Sequence, residues 1–179
     1  TKDYVIAMEW YRKAANAGNL DAQFNIGDLY QNGLGIARDY SQAMEWFRKA
    51  ADAGHADAMN SIGALYRNGQ GVTTDLSQAA VWFRKAANAG NVVAMCNIGA
   101  LYRNGLGVPQ DYTQALEWYR KAADKGNADA LFNVGSLYEN GRGVARDKRE
   151  AKKWYEKAVA AGHKEAAEAL KRVSSRFGW

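Results

Sequence analysis

The amino-acid sequence predicts an all-α solenoid built from antiparallel helix pairs. Three observations carry that prediction. A tryptophan recurs every 36 residues, at Trp10, Trp46, Trp82, Trp118 and Trp154. The apolar residues around it fall at helical rather than alternating spacing. Glycines, 18 of them against one proline, fall at fixed places in the period. A period of this length marks a repeat array and governs how every other residue is read.

The tryptophan block is the first element of the period. Ala7, Ala43, Ala79, Ala115 and Ala151 stand three residues before the tryptophans, and Tyr11, Phe47, Phe83, Tyr119 and Tyr155 follow them directly. Ala43, Trp46, Phe47 and Ala50 lie at i, i+3, i+4 and i+7, which is one face of a helix. Asp39, Asp75, Asp111 and Asp147 mark its start, each with Gln42, Gln78, Gln114 or Glu150 three residues on, the pattern of a capping box. The glycine beyond the block (Gly18, Gly54, Gly90, Gly126, Gly162) can take a positive φ and stop the helix.

The tyrosine block is the second element. It reads Ile26-Gly27-x-Leu29-Tyr30 and recurs at Ile62 to Tyr66, Ile98 to Tyr102 and Val134 to Tyr138. Ala58, Ile62, Leu65 and Tyr66 form its apolar stripe. It ends on Asn-Gly each time, residues that tolerate the left-handed conformation. The interior glycines Gly27, Gly63, Gly99 and Gly135 each cost about 1 kcal/mol relative to alanine. They are expected where two helices approach closely, opposite small residues such as Ala50 and Ala51. The Gly-x-Gly-Val/Ile loop then turns the chain and supplies one apolar plug per unit: Ile36, Val72, Val108 and Val144. A single unit cannot bury its own apolar face, whereas stacked neighbours bury a continuous one.

At these residues the chain resembles the Sel-one-like repeat (SLR) family, a relative of the tetratricopeptide repeats. The step from Tyr30 to Ala43 is 13 residues, longer than in tetratricopeptides because of the Gly-x-Gly-Val loop that is the family's hallmark. The cysteine pair of the disulfide-stapled branch is missing. The resemblance implies a right-handed α/α superhelix. It divides the chain into an N-terminal half repeat (1–18), repeats over 19–54, 55–90, 91–126 and 127–162, and a C-terminal capping helix (163–179). In that last helix Lys171 replaces the glycine and Ser174 the tyrosine, while Lys164, Glu165, Glu168 and Arg172 add charge. The start at Thr1 rather than Met, with Val5, Ile6 and Met8 lacking a polar coat, reads as a fragment from which a preceding repeat was removed.

The resemblance places the tyrosine helices along a concave groove, and candidate partner-binding residues follow from it. Asn25, Ser61, Asn97 and Asn133 would stand in a row. An amide offers donor and acceptor, so such a ladder can hold an extended peptide backbone; the other reading is support for helix packing. Positions that change between copies point to specificity: Phe24, Asn60, Cys96 and Phe132; Gln31, Arg67, Arg103 and Glu139; Asp28, Ala64, Ala100 and Ser136. Arg67 and Arg103 would make a local basic spot suited to a carboxylate, or else are two solvated surface arginines.

Other functions are disfavoured. Twenty-four basic against 19 acidic residues give a formal charge of +5, less than a dedicated nucleic-acid binder carries. The Arg12-Lys13 stripe, repeated at 48-49, 84-85 and 120-121, is expected to be partly neutralised by Glu9, Glu45 and Glu117, four residues before their lysines. It then reads as a solvated convex face, with the tryptophans in the core. His55 and His163 take the helix-start place held by Asn19, Asn91 and Asn127 in the other copies. Cys96, the single cysteine, allows no internal disulfide and has no metal-ligand companions. No phosphate-binding loop occurs, no apolar run approaches the roughly 18 residues of a membrane span, and no signal peptide is visible. The expectation is a bacterial protein-interaction scaffold, with no catalysis and no cofactor, binding a peptide or protein in its groove. The alternatives are a basic module for nucleic acid or acidic glycans, or a structural spacer in a longer protein. Compartment and oligomeric state stay open, a monomer included.

Overall fold

The structure is a computed structural model that describes residues 2–175. Ten helices follow one another in it: α1 (Lys2–Asn16), α2 (Leu20–Asn32), α3 (Tyr40–Asp52), α4 (Ala56–Asn68), α5 (Leu76–Asn88), α6 (Val92–Asn104), α7 (Tyr112–Ala123), α8 (Ala128–Asn140), α9 (Lys148–Ala160) and α10 (Ala166–Ser175). Odd numbers are tryptophan helices and even numbers tyrosine helices, α10 being of tyrosine type by position. There is no strand among the described residues. The chain forms two compact units, Thr1–Asn91 with α1 to α5 and Val92–Trp179 with α6 to α10. Residues 176–179 of the expected capping segment lie outside the described residues.

The helices begin where the sequence places them, with one difference in the caps. Asp39 Oδ1 accepts from the backbone N–H of Ser41 at 2.9 Å and of Gln42 at 3.0 Å, satisfying donors that a first turn leaves orphaned. Asp111 and Asp147 accept from the same two positions, and Asp75 accepts from Gln78. The return half of the capping box is not formed. The N–H of Asp39 instead donates to the carbonyl of Tyr30 at 3.0 Å, and Asp75, Asp111 and Asp147 donate to Tyr66, Tyr102 and Tyr138. The donor a glutamine would serve is already taken by the preceding helix. Gln42 and Gln114 turn to Glu45 and Glu117 at 3.4 Å instead. Asn19, His55 and Asn127 cap the tyrosine helices through their side chains, as their position predicts.

The interior glycines mark close approaches, but against a different partner from the one expected. A Cβ at Gly27, Gly63, Gly99 or Gly135 would lie 2.6, 2.7, 2.9 or 2.8 Å from a ring atom of Phe47, Phe83, Tyr119 or Tyr155. The opposing surface is the aromatic that follows each tryptophan, and Ala50 and Ala51 are not the nearest groups. These rings are at most 1% exposed, and burying each phenylalanine contributes about 1.5–3 kcal/mol. The glycine therefore forms the floor on which a large ring lies flat against a helix.

Neighbouring repeats are joined by the loop and the tryptophan. Gly35 and Gly71 have φ of 73° and 71°, and a Cβ on either would press against Tyr4 or Tyr40 at the start of the preceding tryptophan helix. Ile36 and Val72 pack at the edges of the adjacent core clusters, as the plug reading predicts. Trp46 packs on a cluster that joins Met8 of the preceding half repeat to Ile26 and Leu29 of its own. Trp10, with no such cluster beside it among the described residues, is 65% exposed, and Val5 and Ile6 are exposed as well. Met8, grouped with them from the sequence, is buried instead.

Candidate functional site

The tyrosine helices α2, α4, α6 and α8 carry every candidate site residue. Within the first unit these are Phe24, Asn25, Asp28, Gln31, Asn60, Ser61 and Arg67, and within the second Cys96, Asn97, Arg103, Phe132, Asn133 and Glu139. All are half-buried except Arg67, which is exposed. Each follows from helix geometry. Ile26, Gly27 and Leu29 face the core of the pair, which leaves positions 24, 25, 28 and 31 at the margin of that face.

Two of these positions are wired into the fold in a way the sequence reading missed. Phe24 stacks on His55 with centroids 5.0 Å apart, and Phe132 on His163 at 4.3 Å. Both histidines stand 31 residues after their phenylalanine and sit at the start of the next tyrosine-type helix. His55 Nδ1 accepts from the N–H of Ala58 at 3.2 Å, while its Nε2 lies 3.1 Å from Asp21. Where the aromatic is replaced, the cap is replaced too. Cys96 Sγ donates to Oδ1 of the cap Asn127 at 3.3 Å, and Asn60 precedes Asn91 at the same spacing. The recurrence of Phe with His, and of Asn or Cys with Asn, was present in the sequence as a signal at a 31-residue offset. Burial, then the nearby Asp129, pushes the Cys96 thiol up to about 11.

The charged positions behave differently from one another. Arg67 lies over the Phe83 ring at 5.7 Å. Arg103 Nη1 donates to Asn133 Oδ1 at 2.8 Å, so an asparagine of the proposed ladder is held by an arginine of the proposed basic spot. Arg67 and Arg103 belong to different compact units. Glu139 accepts from Arg172 through both carboxylate oxygens, at 2.9 and 2.7 Å, and from the Tyr155 hydroxyl at 2.7 Å. The Arg172 hydrogen bond holds the Glu139 carboxyl below the ordinary glutamate value, against burial, which raises it. The partly exposed Arg172, read from the sequence as solubilising charge, is therefore the clamp that closes α10 onto α8. Asp28 accepts from the Asn32 amide at 2.8 Å.

The Arg-Lys stripe is also wired internally. Arg12 and Arg48 donate to the hydroxyls of Tyr30 and Tyr66 at 3.2 and 3.0 Å, and Arg120 donates to Tyr138. Lys13, Lys49, Lys85, Lys121 and Lys157 lie over the tryptophan three residues earlier, 4.1 to 4.7 Å from the ring centroid. The expected Glu-Lys neutralisation is not what holds these lysines. The indole face one turn back lies beneath each lysine and attracts the cation through its quadrupole. The tryptophans are accordingly split between core and surface: Trp118 is 7% exposed, while Trp46 and Trp82 sit at the core's edge.

An α/α repeat solenoid with a side-chain-lined helix face is the class these features define. A family model described as Sel1 repeat matches residues 1–19, 20–55, 56–91, 92–127 and 128–163. The chain belongs to the Sel1 repeat family. Among solved structures it is similar to a Sel1 repeat protein from Oxalobacter formigenes, with 38% identity and a TM-score of 0.85 over 93% of this chain and 68% of that one. It is similar to c5321, a protective antigen of uropathogenic Escherichia coli displaying an SLR fold, with 36% identity and a TM-score of 0.92 over 95% of this chain. That match covers 36% of the antigen, so this chain spans about a third of its length. A more distant likeness is the immunity protein Pa5087 from Pseudomonas aeruginosa, with 28% identity and a TM-score of 0.59 over 89% of this chain and 59% of that one. No curated protein sequence matches. Sel1 repeat proteins are generally protein-interaction scaffolds. Among the described residues, no helix is long and apolar enough to cross a membrane.

Proposed function

We propose that this chain is an interaction scaffold that takes a peptide or protein partner along the face of its tyrosine helices. The observation that carries the reading is the contrast between neighbouring positions on those helices. Gly27, Gly63, Gly99 and Gly135 never change, because each lies under a ring. Four residues on, Gln31, Arg67, Arg103 and Glu139 span neutral, positive and negative side chains. A position fixed by packing has no freedom to vary, whereas one that meets solvent does. Some of the variation is answered inside the chain, Phe24 by His55 and Glu139 by Arg172. Arg67 and Arg103 are the two positively charged residues at this register, and a partner's acidic groups would engage them.

The basic-module alternative is weakened by the engagement of the stripe's cations with tyrosine hydroxyls and indole rings. Selection of peptides from a random library on the immobilised chain tests the proposal. A selected peptide should bind the Arg67→Glu/Arg103→Glu variant at least about ten-fold more weakly, the effect of losing one charge-assisted contact, while helicity by circular dichroism is unchanged. Recovery of no peptide would favour the spacer role, and unchanged affinity would remove the arginines from the account.

A further inference from the structure

The net positive charge of the chain sits at one end. Residues 1–141 carry 13 basic and 14 acidic side chains, whereas residues 142–179 carry 11 and 5. Comparison with the earlier copies shows what changed on α9 and α10. Lys152 takes the place of Met44, Ala80 and Leu116, which are buried. Arg149 replaces Ser41, Ser77 and Thr113, and Ser174 replaces Tyr66, Tyr102 and Tyr138. Apolar and uncharged groups on α9 have given way to long cations, and a tyrosine on α10 to a small hydroxyl. An open hollow of about 370 Å3 lies there, lined by Arg149, Lys152, Lys153, Glu156 and Ser174.

The four α9 residues of the hollow stand at i, i+3, i+4 and i+7, one face of the helix, while Ala151, Tyr155 and Ala158 are buried on another. The cations reach solvent: Lys152 is 45% and Lys153 67% exposed, and Arg149 is exposed as well. Lys153 pairs with Glu150 at 2.9 Å and Lys152 with Glu156 at 3.8 Å, and exposed pairs of this kind hold their members weakly. Arg149 meets the cap Asp147 through its backbone N–H, and its guanidinium makes no hydrogen bond or ion pair among the described residues. A solvated end to the array needs charge, but not one sign of it. Cations in a first helical turn also stand against the helix dipole. Lys148 and Arg149 open α9 all the same, where α3, α5 and α7 open without a basic residue. Neither solubility nor helix stability accounts for that placement, and a partner's negative charge does.

We propose that the hollow beside α9 and α10 is a docking site for an acidic peptide segment, whose carboxylates are held by Arg149, Lys152 and Lys153. The site rests on the scaffold reading and adds to it an acidic anchor on helices other than those of Arg67 and Arg103. The Arg149 fork can hold one carboxylate through two parallel hydrogen bonds. Lys152 and Lys153 exchange weak pairs with Glu156 and Glu150 for a second, and the Ser174 hydroxyl is a further donor. No ring lines the hollow, so single-stranded nucleic acid would find no stacking platform in it.

The test uses the full chain and a fluorescein-labelled hexaglutamate, with hexaglutamine as the uncharged control, followed by fluorescence anisotropy at low salt. Hexaglutamate should bind saturably and hexaglutamine should not. The variant Arg149→Ser/Lys152→Gln/Lys153→Gln should bind hexaglutamate at least about ten-fold more weakly, through loss of charge-assisted contacts. Arg149→Ser alone, which leaves both α9 ion pairs in place, should weaken it at least about three-fold. The variant Lys13→Gln/Lys49→Gln/Lys85→Gln removes the same charge elsewhere and should stay within about two-fold of wild type, since a distant charge acts only through the general field. Circular dichroism checks that each variant keeps its helicity. Equal losses in the two triple variants would overturn the inference, as would undiminished binding in Arg149→Ser or binding of hexaglutamine. Tighter binding of a short DNA than of hexaglutamate would overturn it in favour of nucleic acid. A library peptide that binds wild type and the Arg149→Ser/Lys152→Gln/Lys153→Gln variant alike keeps the scaffold and removes this site. Hexaglutamate binding that this variant abolishes, with no library peptide selected, keeps the site and removes the scaffold.

Discussion

Adding one methyl group at Gly63 should destabilise the chain, although alanine is the better helix former. The substitution Gly63→Ala gains about 1 kcal/mol of helix propensity. Against that, the new Cβ would stand 2.7 Å from both Cδ1 and Cε1 of Phe83, where carbon atoms prefer about 3.5–4.0 Å. The ring is fully buried and has no flexible end to yield, so ring and helix must separate by about 1 Å. Overpacking a dense core costs about 1–3 kcal/mol, and a clash with two ring atoms belongs in the upper part of that range. The expected net loss is about 1–2 kcal/mol. Urea unfolding of wild type, Gly63→Ala, Phe83→Leu and the double variant would measure it. Because leucine relieves the clash, the double variant should be more stable than the sum of the singles by about 1 kcal/mol. A Gly63→Ala chain as stable as wild type, or strictly additive effects, would refute the view of the glycine as a ring floor.

Two further outcomes follow from the ionisable groups. The folded chain holds the Glu139 carboxyl below its ordinary value of 4.5, so the unfolded chain takes up that proton first as the solution is acidified. The pair's contribution is complete above about pH 4.5 and is lost as pH falls through the folded value. Glu139→Gln should therefore show a flatter fall in melting temperature than wild type between about pH 5 and about pH 3; parallel curves would exclude the Arg172 clamp as an acid-sensitive element. The Cys96 thiol, raised from 9.0 to about 11, has about a hundred-fold less thiolate near neutrality than an ordinary thiol, and the thiolate is the reactive form. Iodoacetamide should alkylate the folded chain at least about a hundred-fold more slowly than the urea-unfolded chain; equal rates would contradict its burial.

Much of the fold is legible in the sequence because its causes are local. Asp39 caps, Gly33 closes a helix in the left-handed conformation and Ala43 to Ala50 form a stripe, each for reasons contained within a few residues. The misread features depend on partners a repeat or a helix away. Gln42 does not reach back to Asp39, because Tyr30 already accepts that N–H. Gly27 faces Phe47, since a flat ring fits closer to a bare helix than a methyl group does. Lys49 lies on Trp46 rather than beside Glu45, a choice between two neighbours that spacing alone leaves undecided. For the candidate site, spacing identified the helix and the register. It did not separate Arg103, tied to Asn133, from Glu139, tied to Arg172, because those ties depend on the next tyrosine-type helix.

The stacking of Phe24 on His55 and of Phe132 on His163 sets where such an array can be cut and rejoined. Each pair straddles a joint, so the interchangeable cassette is offset from the visible period. Excising residues 91–126 would bring Asn127 to the place 31 residues after Asn60 that Asn91 now holds, like for like. Excising residues 55–90 would bring Asn91 to the place of His55 and strip Phe24 of its imidazole. Unequal recombination between near-identical copies would thus be tolerated at one seam and penalised at another, and engineered chimaeras should be spliced so that both members of each pair travel together.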